Sequence, residues 1–146
     1  MNRNLKTTIK KLNKIPNINR GGCGFSALAI YDTAKSEGKS PKIVFLYSGR
    51  DADSYEQNLE FKNGENEPTS CSHVVVKIGK KYYDSTGKLP KSELQGYKRD
   101  EEIKRSHLIA ALQRESDWNT SFKRDCWLNK IAKHFSKKSR VALTNN

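Results

Sequence analysis

Residues 21–32 read Gly-Gly-Cys-Gly-Phe-Ser-Ala-Leu-Ala-Ile-Tyr-Asp, and the reading of this run decides the fold. Residues 23–36 predict a helix, closed by Gly38 and Pro41. Its first turns are apolar on nearly every side, the pattern of a helix buried in a core. The helix opens on Cys23. Backbone N–H groups at a helix start are unpaired and the dipole there is positive, so both favour the thiolate, the reactive form of cysteine. The same N–H groups suit a developing oxyanion. Gly21, Gly22 and Gly24 remove side chains around the sulfur and let a substrate carbonyl approach. Cys23 is therefore the candidate nucleophile, although a cysteine taken alone is more often a small apolar core residue.

Working outward, Leu5, Ile9, Leu12 and Ile15 fall on one helical stripe backed by lysines, and Pro16 ends that helix. Residues 17–22 predict a polar turn. Residues 42–47 (KIVFLY) predict a strand, and the polar segment 48–70 predicts a surface loop with a short helix near Tyr55–Phe61. Residues 72–78 and 81–86 predict a hairpin around Gly79-Lys80. Two helices follow: 99–116, burying Ile103, Leu108, Ile109 and Leu112, and 121–136, burying Phe122, Trp127, Ile131 and Phe135 with Thr120 or Ser121 as its cap. Strands and helices do not alternate as βαβ units do, so the expected class is α+β with a small antiparallel sheet.

A thiolate nucleophile needs a base, and the base needs a group to orient it. If Gly79-Lys80 form the turn, His73, Val75, Asp84 and Thr86 share one face, and Asp84 lies diagonal to His73. A carboxylate there fixes the imidazole tautomer and stabilises the imidazolium. Singly, His73 has an ordinary reading as a structural histidine and Asp84 as a turn residue; the order Cys, His, Asp is more specific than either.

GGCGFSALAIYD (21–32) followed by SHVVVKIGKKYYDSTG (72–87) resembles the papain-like and transglutaminase-like cysteine enzyme superfamily. In that superfamily a helix begins at the catalytic cysteine and packs on a sheet whose neighbouring strands supply histidine and then Asp or Asn. The resemblance covers about half the chain. It implies a papain-like fold with additional N- and C-terminal helices. It also implies Cys23 as nucleophile, His73 as general base and acid, and Asp84 as orienter. Papain-like peptidases carry a glutamine six residues before the cysteine; this chain has Asn17 there, the implied oxyanion donor, with Asn19 its rival. The aromatic residue that often stands beside the cysteine in transglutaminase-like proteins is replaced by glycines. Peptide hydrolysis, amide hydrolysis, deamidation and acyl transfer share one acyl-thioester chemistry and stay open at this point. None of them calls for a metal or a cofactor here, and the implied substrate is a protein or peptide amide.

The chain has 146 residues, enough for one domain, and 5 Phe, 2 Trp and 6 Tyr argue against disorder. Three cysteines suit a reducing compartment rather than a disulfide framework. The first 20 residues contain no signal-peptide core, and no apolar stretch spans a bilayer, so a soluble, cytoplasmic protein is expected. The size and lysine-rich style fit a phage or mobile-element protein. The net charge is +12. Residues 1–20, read as a basic N-terminal helix or arm, carry six bases and no acid. Residues 118–146, read as a basic C-terminal helix and tail, carry seven bases and one acid. Residues 21–117 hold 15 of each sign. A second reading follows: a basic module that binds nucleic acid or an acidic partner through its ends, without catalysis. A zinc site from Cys71, His73, Cys126 and His134 lacks the paired close spacings of zinc ligands. A calcium loop at Asp51-Ala-Asp53 fails because its sixth and twelfth positions are Glu56 and Lys62. His107 and His134 read as surface or boundary histidines, and Trp118 and Trp127 as core. Cys71 falls on the His73 face of a regular strand, which makes a Cys23–Cys71 disulfide a candidate off-state.

Overall fold

The apolar stripe of the first segment sets the first helix. α1 spans Arg3–Asn13, and Leu5, Ile9, Leu12 and Ile15 are all buried. The computed structural model describes residues 3–15, 18, 22–69 and 71–118. α2 (Cys23–Ser36) buries Phe25, Ala27, Leu28, Ala29, Ile30 and Ala34, so its all-round apolar start is matched by all-round packing. α1 lies against it, with the Thr8 and Thr33 hydroxyls hydrogen-bonded at 3.2 Å.

β1 (Lys42–Tyr47), β2 (His73–Ile78), β3 (Lys81–Asp84), β4 (Gly87–Lys88) and β5 (Lys98–Ile103) form one sheet in the order β4-β3-β2-β1-β5. Every neighbouring pair is antiparallel, so the chain is α+β. β1 sits inside the sheet with both faces covered, which is why five consecutive residues, Ile43 to Tyr47, are buried. α2 packs mainly on β2. The main core joins α1 and α2 to Ile43, Phe45, Tyr47, Val74, Val76 and Tyr83. A smaller cluster of Val44, Leu46, Val75, Tyr82, Leu89 and Leu94 lies on the other face.

Three expectations need correction. Residues 99–116 are not one helix: β5 occupies 98–103, and α4 (Arg105–Trp118) follows. Lys-Arg-Asp-Glu-Glu carries no strand pattern because β5 is an edge strand with a largely solvated surface, and its order comes from pairing with β1. Ile103 is buried as expected, but as the end of that strand, paired with Ile43. The segment 48–70 holds a full helix, α3 (Ala52–Lys62), introduced by a single 3₁₀ turn at Gly49–Asp51. His107 is buried, only 4% exposed, edge-on to Phe45 and tilted against Phe61. It sits on α4 one turn before Ala111, whose burial marks the same inward face.

α4 docks on α2. The Arg105 guanidinium grips both oxygens of Asp32 at 2.9 and 3.0 Å, and Leu108 and Leu112 press on the start of α2. The helix expected over 121–136, with Cys126, Trp127 and His134, lies outside the described residues. No helix among the described residues is long and apolar enough to cross a membrane.

Candidate active site

The hairpin turns on Gly79, whose φ of +64° is cheap only for glycine. Ile78 pairs with Lys81, Lys77 with Tyr82 and Val76 with Tyr83, the register that a Gly79-Lys80 turn dictates. His73 opens β2 opposite Leu46. Its approach is laced to the loop after β1: the Ser72 N–H donates to the Leu46 carbonyl (3.0 Å), the Ser48 N–H donates to Ser72 Oγ (2.8 Å), and Ser72 Oγ also bonds Asp51. From that anchored start, His73 Nε2 meets Asp84 Oδ2 at 3.0 Å.

Asp84 is buried and both its oxygens are engaged. Oδ2 faces His73, while Oδ1 accepts the Thr86 N–H at 2.8 Å and the Thr86 hydroxyl at 2.5 Å. Gly87, at φ +108°, then turns the chain back so that Asp84 pairs with it across β3 and β4. Burial alone pushes the Asp84 carboxyl up. The His73 and Thr86 hydrogen bonds outweigh it and hold the carboxyl below the usual carboxylate range.

Cys23 is the first residue of α2, half-buried against the main core. It lies beside the His73 ring, acting on it both as a hydrogen-bond partner and as a charge. Burial alone would lower the His73 pKa, but hydrogen bonds to Asp84 and Cys23, together with their charges, raise it to about 9. Asp84 engages Nε2, so Nδ1 is the ring nitrogen that the carboxylate does not engage. At the start of α2, Gly22 supplies no side-chain cap, and the first helical bond runs from the Ser26 N–H to the Gly22 carbonyl at 3.0 Å. The N–H groups ahead of that bond, including that of Cys23, point toward the helix entrance.

So Cys23, His73 and Asp84 come together from a helix start and two neighbouring strands. Asn17, the other candidate, lies outside the described residues with Asn19 and Gly21. Gly24 has a different purpose from the one its sequence context suggested. A Cβ there would lie 2.7 Å from Leu112 Cδ2 and 3.6 Å from Leu108 Cδ1, so this glycine makes room for α4 rather than for a substrate. Cys23 and Cys71 are reduced thiols, neither of them in a disulfide. Cys71 precedes β2, so strand alternation does not extend to it, and its Sγ bonds the His73 carbonyl at 3.1 Å. Asp51 binds Ser48 and Ser72, and no three His, Cys, Asp or Glu side chains among the described residues gather as a metal site would need. The role of Thr86 was not read from the sequence. Its signal was the Asp-x-Thr spacing, which lets a carboxylate accept hydrogen bonds two residues on.

His107 belongs to a separate network. Its Nε2 lies 3.0 Å from Asn58 Oδ1, and Asn58 also donates to Tyr47 Oη (2.8 Å) and the Thr69 carbonyl (3.1 Å) and accepts the Thr69 N–H (3.0 Å). Burial, reinforced by the Lys62 charge, lowers the His107 pKa to about 4. Burial likewise pushes the Tyr47 hydroxyl up.

Comparison of the chain with protein-family models, with curated proteins and with solved structures gives no match in any of the three.

Proposed function

We propose that the chain is a small papain-like or transglutaminase-like thiol enzyme that acts on an amide bond through Cys23, His73 and Asp84. One arrangement carries this reading: an imidazole with a buried carboxylate 3.0 Å from one nitrogen and a helix-start cysteine close enough to raise its pKa. α2 packed on an antiparallel sheet, with histidine and aspartate on adjacent strands, supports the papain-like form of the fold.

In this mechanism the Cys23 sulfur attacks the amide carbon, and His73 holds the thiol proton as imidazolium. The tetrahedral oxyanion is met by the N–H groups at the start of α2. The C–N bond breaks as His73 passes its proton to the departing amine, leaving an acyl thioester on Cys23. Water, or a second amine, then gives a proton to His73 and attacks the thioester carbon. The C–S bond breaks, and the released thiolate recovers its imidazolium partner. Asp84 stays ionised throughout and holds the ring against Cys23.

Iodoacetamide labelling at pH 7, read by mass spectrometry, tests the nucleophile. Cys23 is expected to label at least about tenfold faster than Cys71 or Cys126. A panel of peptidyl aminomethylcoumarin amides tests the reaction. Any turnover found is expected to fall by at least about a thousandfold in Cys23→Ala, with the circular dichroism unchanged. Equal labelling of the three cysteines, or undiminished turnover in Cys23→Ala, overturns the proposal.

A further inference from the structure

Residues 21–117 are electrically balanced in sequence, yet folding separates their charges. A groove of about 730 Å³ opens at the hairpin end of the sheet, bordered by Lys77, Lys80, Lys81, Lys88, Lys91 and Arg99. Among the described residues, none lining it is acidic. Its floor includes Tyr82, Leu89 and Leu94, which belong to the smaller core cluster on the face away from α2. These cations come from β2, the turn, β3, β4, the 3₁₀ turn Lys91–Leu94 and β5, so no single stretch of sequence announces them.

The six cations divide into two groups. Lys77 is paired with Glu101 at 2.8 Å, and Arg99 donates to Tyr82 Oη (3.3 Å), whose own proton goes to Glu101. These two are fixed parts of the wall. Lys80, Lys81, Lys88 and Lys91 are exposed, and among the described residues no carboxylate pairs with them. Four uncompensated ammonium groups around one concavity make a strong local positive potential.

A phosphate backbone and an acidic peptide both answer that charge, and the floor favours the peptide. Single-stranded nucleic acid binds through exposed aromatic faces on which bases stack. Among the described residues the one aromatic lining this groove is Tyr82, 8% exposed and tied by its hydroxyl to Glu101. Leu89 and Leu94 are buried as deeply as Tyr82, but Pro90 is exposed on the groove wall, where it offers a phosphate chain nothing and accepts an apolar side chain between acidic ones. The groove also adjoins the candidate active site: Lys88 pairs with Tyr83, one step along the same strand pair from Asp84 and Gly87.

We propose that this groove docks an acidic polypeptide segment, with Asp or Glu side chains on the four exposed lysines and an apolar side chain against Pro90. The inference does not depend on the chemistry at Cys23, so it is tested in the full chain carrying Cys23→Ala. The probe is a fluorescein-labelled peptide of alternating Glu and Leu, followed by fluorescence polarisation at about 150 mM salt, where the Debye length is about 8 Å. Lys80→Glu/Lys88→Glu/Lys91→Glu is expected to weaken binding at least about tenfold. Lys6→Glu/Lys10→Glu/Lys11→Glu, the same reversal on the exposed side of α1, is expected to change it less than about threefold. Should the groove reversal alter the circular dichroism, the neutral triple Lys80→Ala/Lys88→Ala/Lys91→Ala replaces it, with weakening again expected. No peptide binding by the Cys23→Ala chain, or equal loss in the α1 triple, overturns the proposal. Tighter, groove-dependent binding of a thymidine oligonucleotide overturns it in favour of nucleic acid.

Discussion

His73 and His107 each meet a side-chain oxygen 3.0 Å from Nε2, yet their pKa values lie on opposite sides of the ordinary value of 6.5. His73 faces the Asp84 carboxylate and the Cys23 sulfur and rises to about 9. His107 is buried against the neutral amide of Asn58, with the Lys62 charge nearby, and falls to about 4. The geometry is nearly the same, so the charge of the partner decides the outcome. A buried imidazole beside an amide is fixed as a neutral strut. One beside a carboxylate and a thiol, with its side chain 23% exposed, is set up to hold and release a proton. Histidine burial alone therefore does not distinguish structure from chemistry; the partners do.

The sharpest way to break this contrast is to remove each partner in turn. Asn58→Ala leaves Tyr47, His107 and both backbone groups of Thr69 without their shared partner. Urea denaturation is expected to show a loss of about 4 kcal/mol, with Cys23 alkylation in the folded protein little changed. His73→Ala is expected to do the reverse, with a slow-labelling Cys23 and a loss of about 1 kcal/mol. Similar effects of the two variants on both readouts would erase the distinction.

The pH dependence of stability divides along the same line. His73 has a folded pKa above its unfolded one, so its contribution is complete below pH 6.5 and disappears as the pH rises through about 9. His107 has a folded pKa below its unfolded one, so the unfolded chain binds the extra proton and stability falls from pH 6.5 down to about 4. That acid limb is worth about 3 kcal/mol, and His107→Gln is expected to flatten it while leaving the alkaline limb in place. Denaturation midpoints across this range check both limbs, and an acid limb that survives undiminished in His107→Gln contradicts the assignment.

Smaller effects sharpen the picture. Gly24→Ala pushes a methyl toward Leu112 and is expected to cost about 1–2 kcal/mol, partly recovered by the double variant with Leu112→Val. A thermal melt reads this, and an unchanged Tm would mean that α2 and α4 have slack at this point. Thr86→Val keeps the N–H bond to Asp84 and loses the hydroxyl bond. The midpoint of the His73 ring, read by NMR, is expected to move down by less than about one unit, with stability little altered; a merely structural threonine would move stability and not the midpoint.

The parts of this arrangement that carry their own periodicity were legible in the sequence. Leu5, Ile9, Leu12 and Ile15 mark α1, the apolar run after Cys23 marks a buried helix, and Gly79-Lys80 sets the register that brings Asp84 to His73. What was not legible depends on neighbours. β5 is a strand because β1 offers it an edge, not because Lys-Arg-Asp-Glu-Glu prefers extension. His107 is buried because Phe45 and Phe61 close over it from β1 and α3. Gly24 looked like a clearing for substrate until Leu108 and Leu112 arrived from a segment more than eighty positions away.

Asp84 and Cys23 together hold the proton on the His73 ring, and NMR of the imidazole rings tests that most directly. In the native chain the His73 ring is expected to titrate near pH 9, far above 6.5, and its midpoint should drop in Cys23→Ser, with His107 near 4 as the internal reference. A His73 ring that titrates near 6.5 and ignores the change at Cys23 would contradict it.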